Sequence, residues 1–210
     1  EALRRAIFIN NKKHIYFYNL GVLLSKKERN SEAEAAYLKS IELNNTHIES
    51  YINLASLYRD KDNNKALEYL QKAYDINKTD ENLLLSIAQI YRLLYKNNES
   101  IEVLSNVIQN NKNCAEAYSQ IAINYMDLCD YNRALENYDH ALSLNKENLN
   151  YKHGKAVALK YLGHIDESKK ILEQIITNSD SSIQSAITLG MLYLSDRQFE
   201  RGMKLYTLRS

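Results

Sequence analysis

Apolar residues recur along this chain at helical spacing, in segments of about eight residues separated by short polar clusters. Three clear examples are YINLASLY from Tyr51, LLSIAQIY from Leu84 and YSQIAINY from Tyr118. Each contains a large apolar residue followed by a small one, with an aromatic residue three positions later. Residues three and four positions apart share one face of an α-helix. The pattern therefore predicts amphipathic helices along the whole chain.

The small residues of these segments form a column with a regular period. Its members are Gly21, Ala55, Ala88, Ala122, Ala156 and Gly190, at intervals of 34, 33, 34, 34 and 34 residues. A second amphipathic segment follows each first one, with anchors at offsets of 4 and 7, as in Ala134, Tyr138 and Ala141. Each unit is thus predicted to be two antiparallel helices joined by a short turn. One such pair cannot bury its apolar face alone, whereas stacked copies can.

Composition narrows the range of functions. The 210 residues carry a formal net charge of +1, which gives no electrostatic reason to expect a nucleic-acid or anionic-membrane partner. There are 5 Gly and no Pro, and no glycine spacing matches a phosphate-binding loop or a nucleophile elbow. No apolar run approaches the roughly 18 residues of a membrane span. We therefore expect neither membrane insertion nor a nucleotide cofactor.

The reactive residue types do not form a site either. The two cysteines, Cys114 and Cys129, lack metal-ligand or redox-pair spacing, and two reduced thiols favour an intracellular location. The five histidines are scattered, and none belongs to an H-E-x-x-H motif. We expect no catalytic residue, no metal and no cofactor in this segment.

The period and its anchors resemble the tetratricopeptide repeat family, most closely from Ala117 to Ala141. The resemblance implies an all-α fold, a right-handed α-solenoid of stacked antiparallel helix pairs. Full repeats are predicted at 14–47, 48–80, 81–114, 115–148 and 149–182, between a partial repeat at 1–13 and a truncated one at 183–210. The proline that usually follows the second helix in this family is missing throughout. Those helices are therefore expected to fray or to overrun by a residue or two.

In this family the first helices line a concave groove, so the resemblance implies a partner that is a protein or peptide. The residues predicted to face it are Tyr18, Asn19, Val22, Ile52, Asn53, Ser56, Arg59, Ser86, Gln89, Arg92, Gln120, Ile123 and Lys160. The positions where chaperone-binding members carry the Lys and Asn of a carboxylate clamp hold other residues here, so no such clamp is expected; they are Tyr18, Ile52 and Leu85, with Val22, Ser56 and Gln89.

One column of this face is polar and uncharged. It consists of Asn19, Asn53, Ser86, Gln120 and Thr188, and only Gly154 interrupts it. The column is similar to the asparagine ladder of O-linked N-acetylglucosaminyltransferase repeats, whose amides could hold a peptide backbone. The alternative is a column that merely tolerates polar residues.

The C-terminal sequence FERGMKLYTLRS differs from the other second helices. Its Gly202, Tyr206 and Arg209 resemble the last repeat of bacterial arrays that precede a glycosyltransferase-like domain, although an atypical end repeat would look similar. The sequence thus predicts a protein-interaction scaffold. The alternative function is the substrate-recruiting region of a larger glycosyltransferase whose catalytic domain lies beyond residue 210.

Overall fold

The computed structural model describes residues 13–59, 61–178 and 183–206. These residues form twelve α-helices and no strand. The helices are α1 (His14–Ser25), α2 (Asn30–Leu43), α3 (Ile48–Tyr58), α4 (Asn63–Ile76), α5 (Glu81–Leu93), α6 (Asn97–Asn110), α7 (Ala115–Asp127), α8 (Tyr131–Leu144), α9 (Leu149–Tyr161), α10 (Ile165–Asn178), α11 (Ile183–Ser195) and α12 (Phe199–Tyr206). The predicted helix at 1–13 lies outside the described residues except for Lys13, and so does Arg209 of the C-terminal motif.

The chain divides into two compact units, residues 1–103 (unit 1) and residues 104–210 (unit 2), with the boundary inside α6. Consecutive helices from α1 to α5, and from α7 to α12, pack against each other. Turns of three or four residues join the two helices of a pair, for example between α1 and α2 and between α7 and α8. Such short connections force the two helices to run antiparallel.

The turn inside five of the helix pairs uses a left-handed residue. Positive φ angles of 59° to 60° occur at Glu28, Tyr95, Cys129 and Arg197, and Gly163 has a φ of 86° at the corresponding place. Only glycine adopts this region without a steric cost from its Cβ. The turn geometry is therefore kept even where the residue best suited to it is absent.

Asparagine ends three of the second helices. The Oδ1 atoms of Asn44, Asn77 and Asn111 each accept a hydrogen bond from the backbone N–H two residues later, at 3.0 to 3.1 Å. This side-chain turn offers the backbone an alternative to continuing the helix. Asn44 and Asn77 are also extended, with φ of −149° and −140°. The expected overrun is therefore not seen at these ends, because asparagine replaces proline as the terminator.

Small residues form the contact surface between the helices of a pair. In unit 1, Ala33, Ala66 and Ala88 are fully buried, and Leu54 and Leu70 fill the space beside them. Complete burial of one such leucine stabilises a fold by about 2 kcal/mol. The column of small residues predicted from the period is thus the inner surface of the stack.

Two glycines are required by tyrosine rings. A Cβ atom placed on Gly21 would lie 2.5 Å from the ring of Tyr37, and one on Gly154 would lie 2.3 Å from the ring of Tyr138. Both rings are buried, with 2% and 5% exposure. No real Cβ approaches an aromatic carbon so closely, so each glycine makes room for a bulky side chain of the neighbouring helix.

Serine replaces the small anchor of the second helix twice, at Ser100 and Ser168. Both side chains are fully buried, and each hydroxyl donates across the pair to a carbonyl oxygen of the first helix: Ser100 to Ala88 at 2.8 Å, and Ser168 to Ala156 at 2.7 Å. A buried hydroxyl needs such a partner to offset its loss of water. The serines therefore fit the small-residue column while adding a hydrogen bond between the helices.

Candidate functional site

Two neighbouring first helices of unit 1, α3 and α5, border a recess that α4 closes from behind. It is shallow, with a cavity volume of about 30 Å³, and it opens to solvent. Five of the predicted groove residues line it together: Ile52, Ser56, Arg59, Ser86 and Gln89. The recess is called the α3–α5 recess below.

The floor of the α3–α5 recess comes from residues that the groove prediction did not include. They are Ala55, Leu70 and Ile90, which are 3%, 1% and 3% exposed. The sequence had marked Ala55 and Leu70 only as packing anchors of their repeat. A floor residue belongs both to the core and to the recess. Its periodicity in the sequence predicts that it packs in the core, but gives no sign that it also lines the recess.

The rim hydroxyls of the recess are committed to their own helices. The Oγ atom of Ser56 donates to the carbonyl oxygen of Ile52 at 3.0 Å, and the Oγ atom of Ser86 donates to that of Asn82 at 2.8 Å. Each serine oxygen keeps its acceptor capacity. Donor groups at the rim are the side-chain amide of Gln89 and the guanidinium of the exposed Arg59. The recess thus combines an apolar floor with acceptors and donors at its edge.

Two other predicted residues of unit 1, Tyr18 and Val22, are half-buried and pack against the core of the first helix pair. The ring centroid of Tyr18 lies 4.9 Å from that of His47 and 6.2 Å from that of Tyr37. Packing from both sides fixes the ring. Tyr18 therefore offers a rigid edge to a partner rather than an adaptable side chain.

His47 itself sits in a crowded position. Its Nδ1 atom lies 2.8 Å from the Oγ atom of Ser50, and its ring centroid is 4.8 Å from that of His14. Burial lowers the pKa of His47; the carboxylate of Glu49 opposes this effect, and His14 adds to the lowering. The neutral imidazole is therefore favoured in the folded state.

The predicted position in the middle of unit 2, Gln120, is 6% exposed and hydrogen-bonded. Its Nε2 atom donates to Oε1 of Glu116 at 3.2 Å, while the hydroxyl of Tyr151 donates to Oε2 of the same carboxylate at 3.0 Å. Burial, together with this carboxylate, raises the pKa of Tyr151 to about 12. Gln120 therefore belongs to a polar network between α7 and α9 and presents little surface to a partner.

The other two predicted groove residues of unit 2, Ile123 and Lys160, contact different neighbours from those of Gln120. Ile123 is half-buried against the core, and the Nζ atom of Lys160 lies 4.5 Å from the ring centroid of Tyr161. Tyr161 in turn stacks on Tyr131, with centroids 4.7 Å apart and an interplanar angle of 11°. The sequence did not indicate this stack, because its two residues are 30 positions apart in neighbouring helix pairs.

Three of the five members of the polar column use their side-chain donors within the fold. Asn19 is exposed and Asn53 is half-buried, but the hydroxyls of Ser86 and Thr188 donate to carbonyl oxygens of their own helices. The side-chain amide of Gln120 donates to Glu116. Asn19 and Asn53 are therefore the members of the column whose side-chain amides can still bond to a partner. Arg92, predicted at the end of α5, is half-buried.

Among the described residues, no group of three or more His, Cys, Asp or Glu side chains is arranged to hold a metal ion. None of the helices in the described ranges is long and apolar enough to cross a membrane.

Family comparison decides the nature of the repeats. A family model described as tetratricopeptide repeat matches residues 15–47 and 48–80, and a second model of the same description matches residues 115–148. The chain carries tetratricopeptide repeats. Repeats of this family typically serve as protein-interaction scaffolds and are typically not catalytic.

Solved structures confirm the predicted all-α solenoid class. A tetratricopeptide repeat protein from Parabacteroides merdae has a TM-score of 0.83 at 18% identity, over 98% of this chain and 84% of that one. YrrB, described as a tetratricopeptide repeat protein with an unusual peptide-binding site, has a TM-score of 0.64 at 20% identity, over 94% and 98% of the two chains. At these identities the likeness shows the fold alone.

Two human proteins are similar in sequence. Protein O-mannosyl-transferase TMTC3 is 23% identical over 200 residues, which are 86% of this chain and 22% of that protein. Protein O-mannosyl-transferase TMTC1 is 26% identical over 133 residues, 62% of this chain and 15% of that protein. The chain thus spans less than a quarter of the length of either relative.

Proposed function

We propose that this chain is a scaffold that binds an extended peptide segment of a partner protein across the first helices of unit 1. The observation that carries the proposal is the α3–α5 recess, where five residues chosen from the repeat pattern line one space. YrrB, a protein of similar fold, is described as having a peptide-binding site, which supports the same kind of ligand.

The chemistry of the recess suits an extended backbone with a short apolar side chain. A small aliphatic group would rest on Ala55, Leu70 and Ile90, while backbone N–H groups would meet the serine oxygens. Backbone carbonyls or an acidic side chain would meet Gln89 and Arg59. Asn53, half-buried on the same helix, would extend the row of polar contacts along the peptide.

The test begins with the selection of peptides that bind the folded chain from a random display library. Affinities of the selected peptides are then measured by fluorescence anisotropy against the double variant Ser56→Leu, Ser86→Leu, whose side chains would fill the recess. We expect binding to weaken at least about tenfold, which corresponds to roughly 1.4 kcal/mol.

The matched control is Ser143→Leu. Ser143 is an exposed serine of α8, a second helix, and its hydroxyl likewise donates to its own helix, to His140 at 2.7 Å. It should leave affinity unchanged. Equal affinity of the selected peptides for the recess variant and the control would contradict the proposal.

A second function is favoured by the two O-mannosyl-transferase relatives. We propose, as the alternative, that the array recruits protein substrates for a glycosyltransferase domain of the same polypeptide. Gly202 belongs to the C-terminal motif that suggested the glycosyltransferase hypothesis, and its packing gives a second explanation for the glycine. A Cβ atom there would lie 2.6 Å from Leu194, so packing alone requires the glycine. The coding sequence beyond Ser210 decides the matter: a stop codon or further repeats without a transferase domain would remove this reading.

A further inference from the structure

A cavity of about 300 Å³ with a wide mouth lies in unit 2 between α10, α11 and α12. Its walls are mainly apolar and come from Ile176, Leu189, Leu205 and the ring of Tyr193. Two second helices, α10 and α12, form its sides, so it lies away from the first-helix face discussed above. An apolar cavity of this size is in the range that accommodates small organic molecules.

The same place between two helix pairs also occurs in unit 1, where it is filled. There the ring of Tyr69 packs in one cluster with Ile41 and Leu54, and its centroid is 5.8 Å from that of Tyr58. Tyr69 follows the small anchor Ala66 by three residues.

The repeat register relates each wall of the cavity to a member of the unit 1 cluster. Leu205 follows the small anchor Gly202 by three residues, as Tyr69 follows Ala66. In the same register Ile176 corresponds to Ile41, Leu189 to Leu54, and Tyr193 to Tyr58. A branched aliphatic side chain thus stands where unit 1 has an aromatic ring. The cavity lies at the place corresponding to the one that Tyr69 takes between its two helix pairs; the other repeats carry Ala36, Val103, Asn137 and Ile171 at this position.

The charges around the mouth favour an anion. Arg201 and Lys204 line the cavity, and the guanidinium carbon of Arg201 lies 5.8 Å from the ring centroid of Tyr193. The one carboxylate of the lining, Glu173, accepts a hydrogen bond from the hydroxyl of Tyr193. Cations beside an aromatic ring also occur at the filled site, where the Nζ atom of Lys72 is 5.3 Å from the ring centroid of Tyr69.

We propose that this cavity binds a small aromatic anion, whose ring takes the place that Tyr69 has in unit 1 and whose negative group contacts Arg201 and Lys204. Apolar walls provide the contact area, and the two cations select for a carboxylate or sulfonate on the ring. This site is independent of the α3–α5 recess.

The probe for the test is anilinonaphthalene sulfonate, an aromatic anion whose fluorescence rises in apolar surroundings. Titration of the whole chain should give saturable binding at one site. Leu205→Tyr restores the ring of unit 1 and should weaken binding at least about tenfold, while far-ultraviolet circular dichroism stays unchanged. Leu144→Tyr is the control, because Leu144 is an exposed leucine at the end of α8 and does not line the cavity. Equal binding by Leu205→Tyr and wild type would overturn the proposal.

The charge requirement is tested by a second pair of ligands and variants. Phenylnaphthylamine has the same ring system without the sulfonate. Arg201→Gln should weaken binding of the sulfonate about fivefold and leave binding of the amine unchanged. Lys170→Gln, an exposed residue of α10 outside the lining, should affect neither. Equal effects of Arg201→Gln on both ligands would refute the anionic part.

A third measurement uses only the wild-type protein, so its result does not depend on whether the variants fold. In methyl NMR spectra, the sulfonate should shift the signals of Ile176, Leu189 and Leu205 and leave those of Ile41 and Leu54 unmoved. These last two are the filled counterparts in unit 1. Shifts spread evenly over both sets would mean non-specific adsorption and would refute a built site.

Discussion

The left-handed turn residues allow a prediction in which two substitutions change the free energy of unfolding in opposite directions. Tyr95 has a φ of 59° and is 93% exposed, so its side chain contributes little packing. Gly163 has a φ of 86° at the corresponding turn of a later repeat, and a Cβ atom placed there would meet nothing within 4 Å. Tyr95→Gly and Gly163→Ala therefore change the backbone cost and almost nothing else.

The magnitude follows from two terms. Left-handed backbone costs a residue with a Cβ roughly 1–2 kcal/mol. Glycine, in turn, increases the conformational entropy of the unfolded chain, which costs about 0.4–1 kcal/mol on folding. The difference favours glycine at both turns. We expect Tyr95→Gly to stabilise the protein by about 0.5–1 kcal/mol, and Gly163→Ala to destabilise it by about the same amount.

Urea unfolding followed by circular dichroism measures both effects, with slopes compared to check that cooperativity is unchanged. Tyr95→Ala serves as the control, because it removes the ring and keeps the strain; its midpoint should stay close to that of the wild type. If Tyr95→Ala stabilises as much as Tyr95→Gly, the ring and not the backbone is responsible. If Gly163→Ala is neutral, left-handed backbone at this turn costs a residue with a Cβ atom less than about 1 kcal/mol, contrary to the prediction.

Four further substitutions test the packing and two partly buried histidines. Gly21→Ala places a methyl group against the fixed ring of Tyr37; overpacking of about 1–3 kcal/mol exceeds the roughly 1 kcal/mol that alanine gains in a helix, so the urea midpoint should fall. Ser168→Ala removes a buried hydrogen bond and should destabilise by about 1 kcal/mol in the same assay, whereas an unchanged midpoint would show that the bond contributes nothing. Burial lowers the pKa of His153 and of His47. The contribution of these neutral histidines to the free energy of unfolding is therefore fully present above the unfolded pKa of about 6.5 and is lost as the pH falls below that value. Glutamine at either position should flatten thermal midpoints measured from pH 7.5 to 5.5, and an equally steep loss in both variants would contradict this assignment.

The repeat period predicts the core of this protein well, because burial in a stack is dictated by register. Every helix pair presents the same face to its neighbours, so a small residue that recurs every 34 positions must lie at the same contact each time. Ala33, Ala66 and Ala134 accordingly have no exposed surface, although nothing but spacing had marked them.

Features that depend on a pair of side chains escaped the same reasoning. The donors of Ser56 and Ser86 turn back to their own helices, an option open to any exposed helical serine and invisible in the sequence. The helix stops were misjudged for a related reason, since Asn44 ends its helix through the hydrogen bond of its own side chain. The repeat period predicts which face of a helix a residue occupies. Competition between side-chain and backbone hydrogen bonds decides which donors and acceptors remain available to a partner.

The two ring positions of Tyr69 and Leu205 show how function can be separated from packing in such an array. A residue on the open first-helix face can change without loss of stability, so its variation says little about selection. Leu205 differs, because an aromatic pair at the corresponding place adds about 0.5–1.5 kcal/mol beyond its buried area and removes a cavity. Unit 2 forgoes that stabilisation while keeping the tyrosine partner and a cation beside it. An unfilled interface whose other members are retained is more informative than a variable surface, because it carries an energetic cost that a bound ligand would offset.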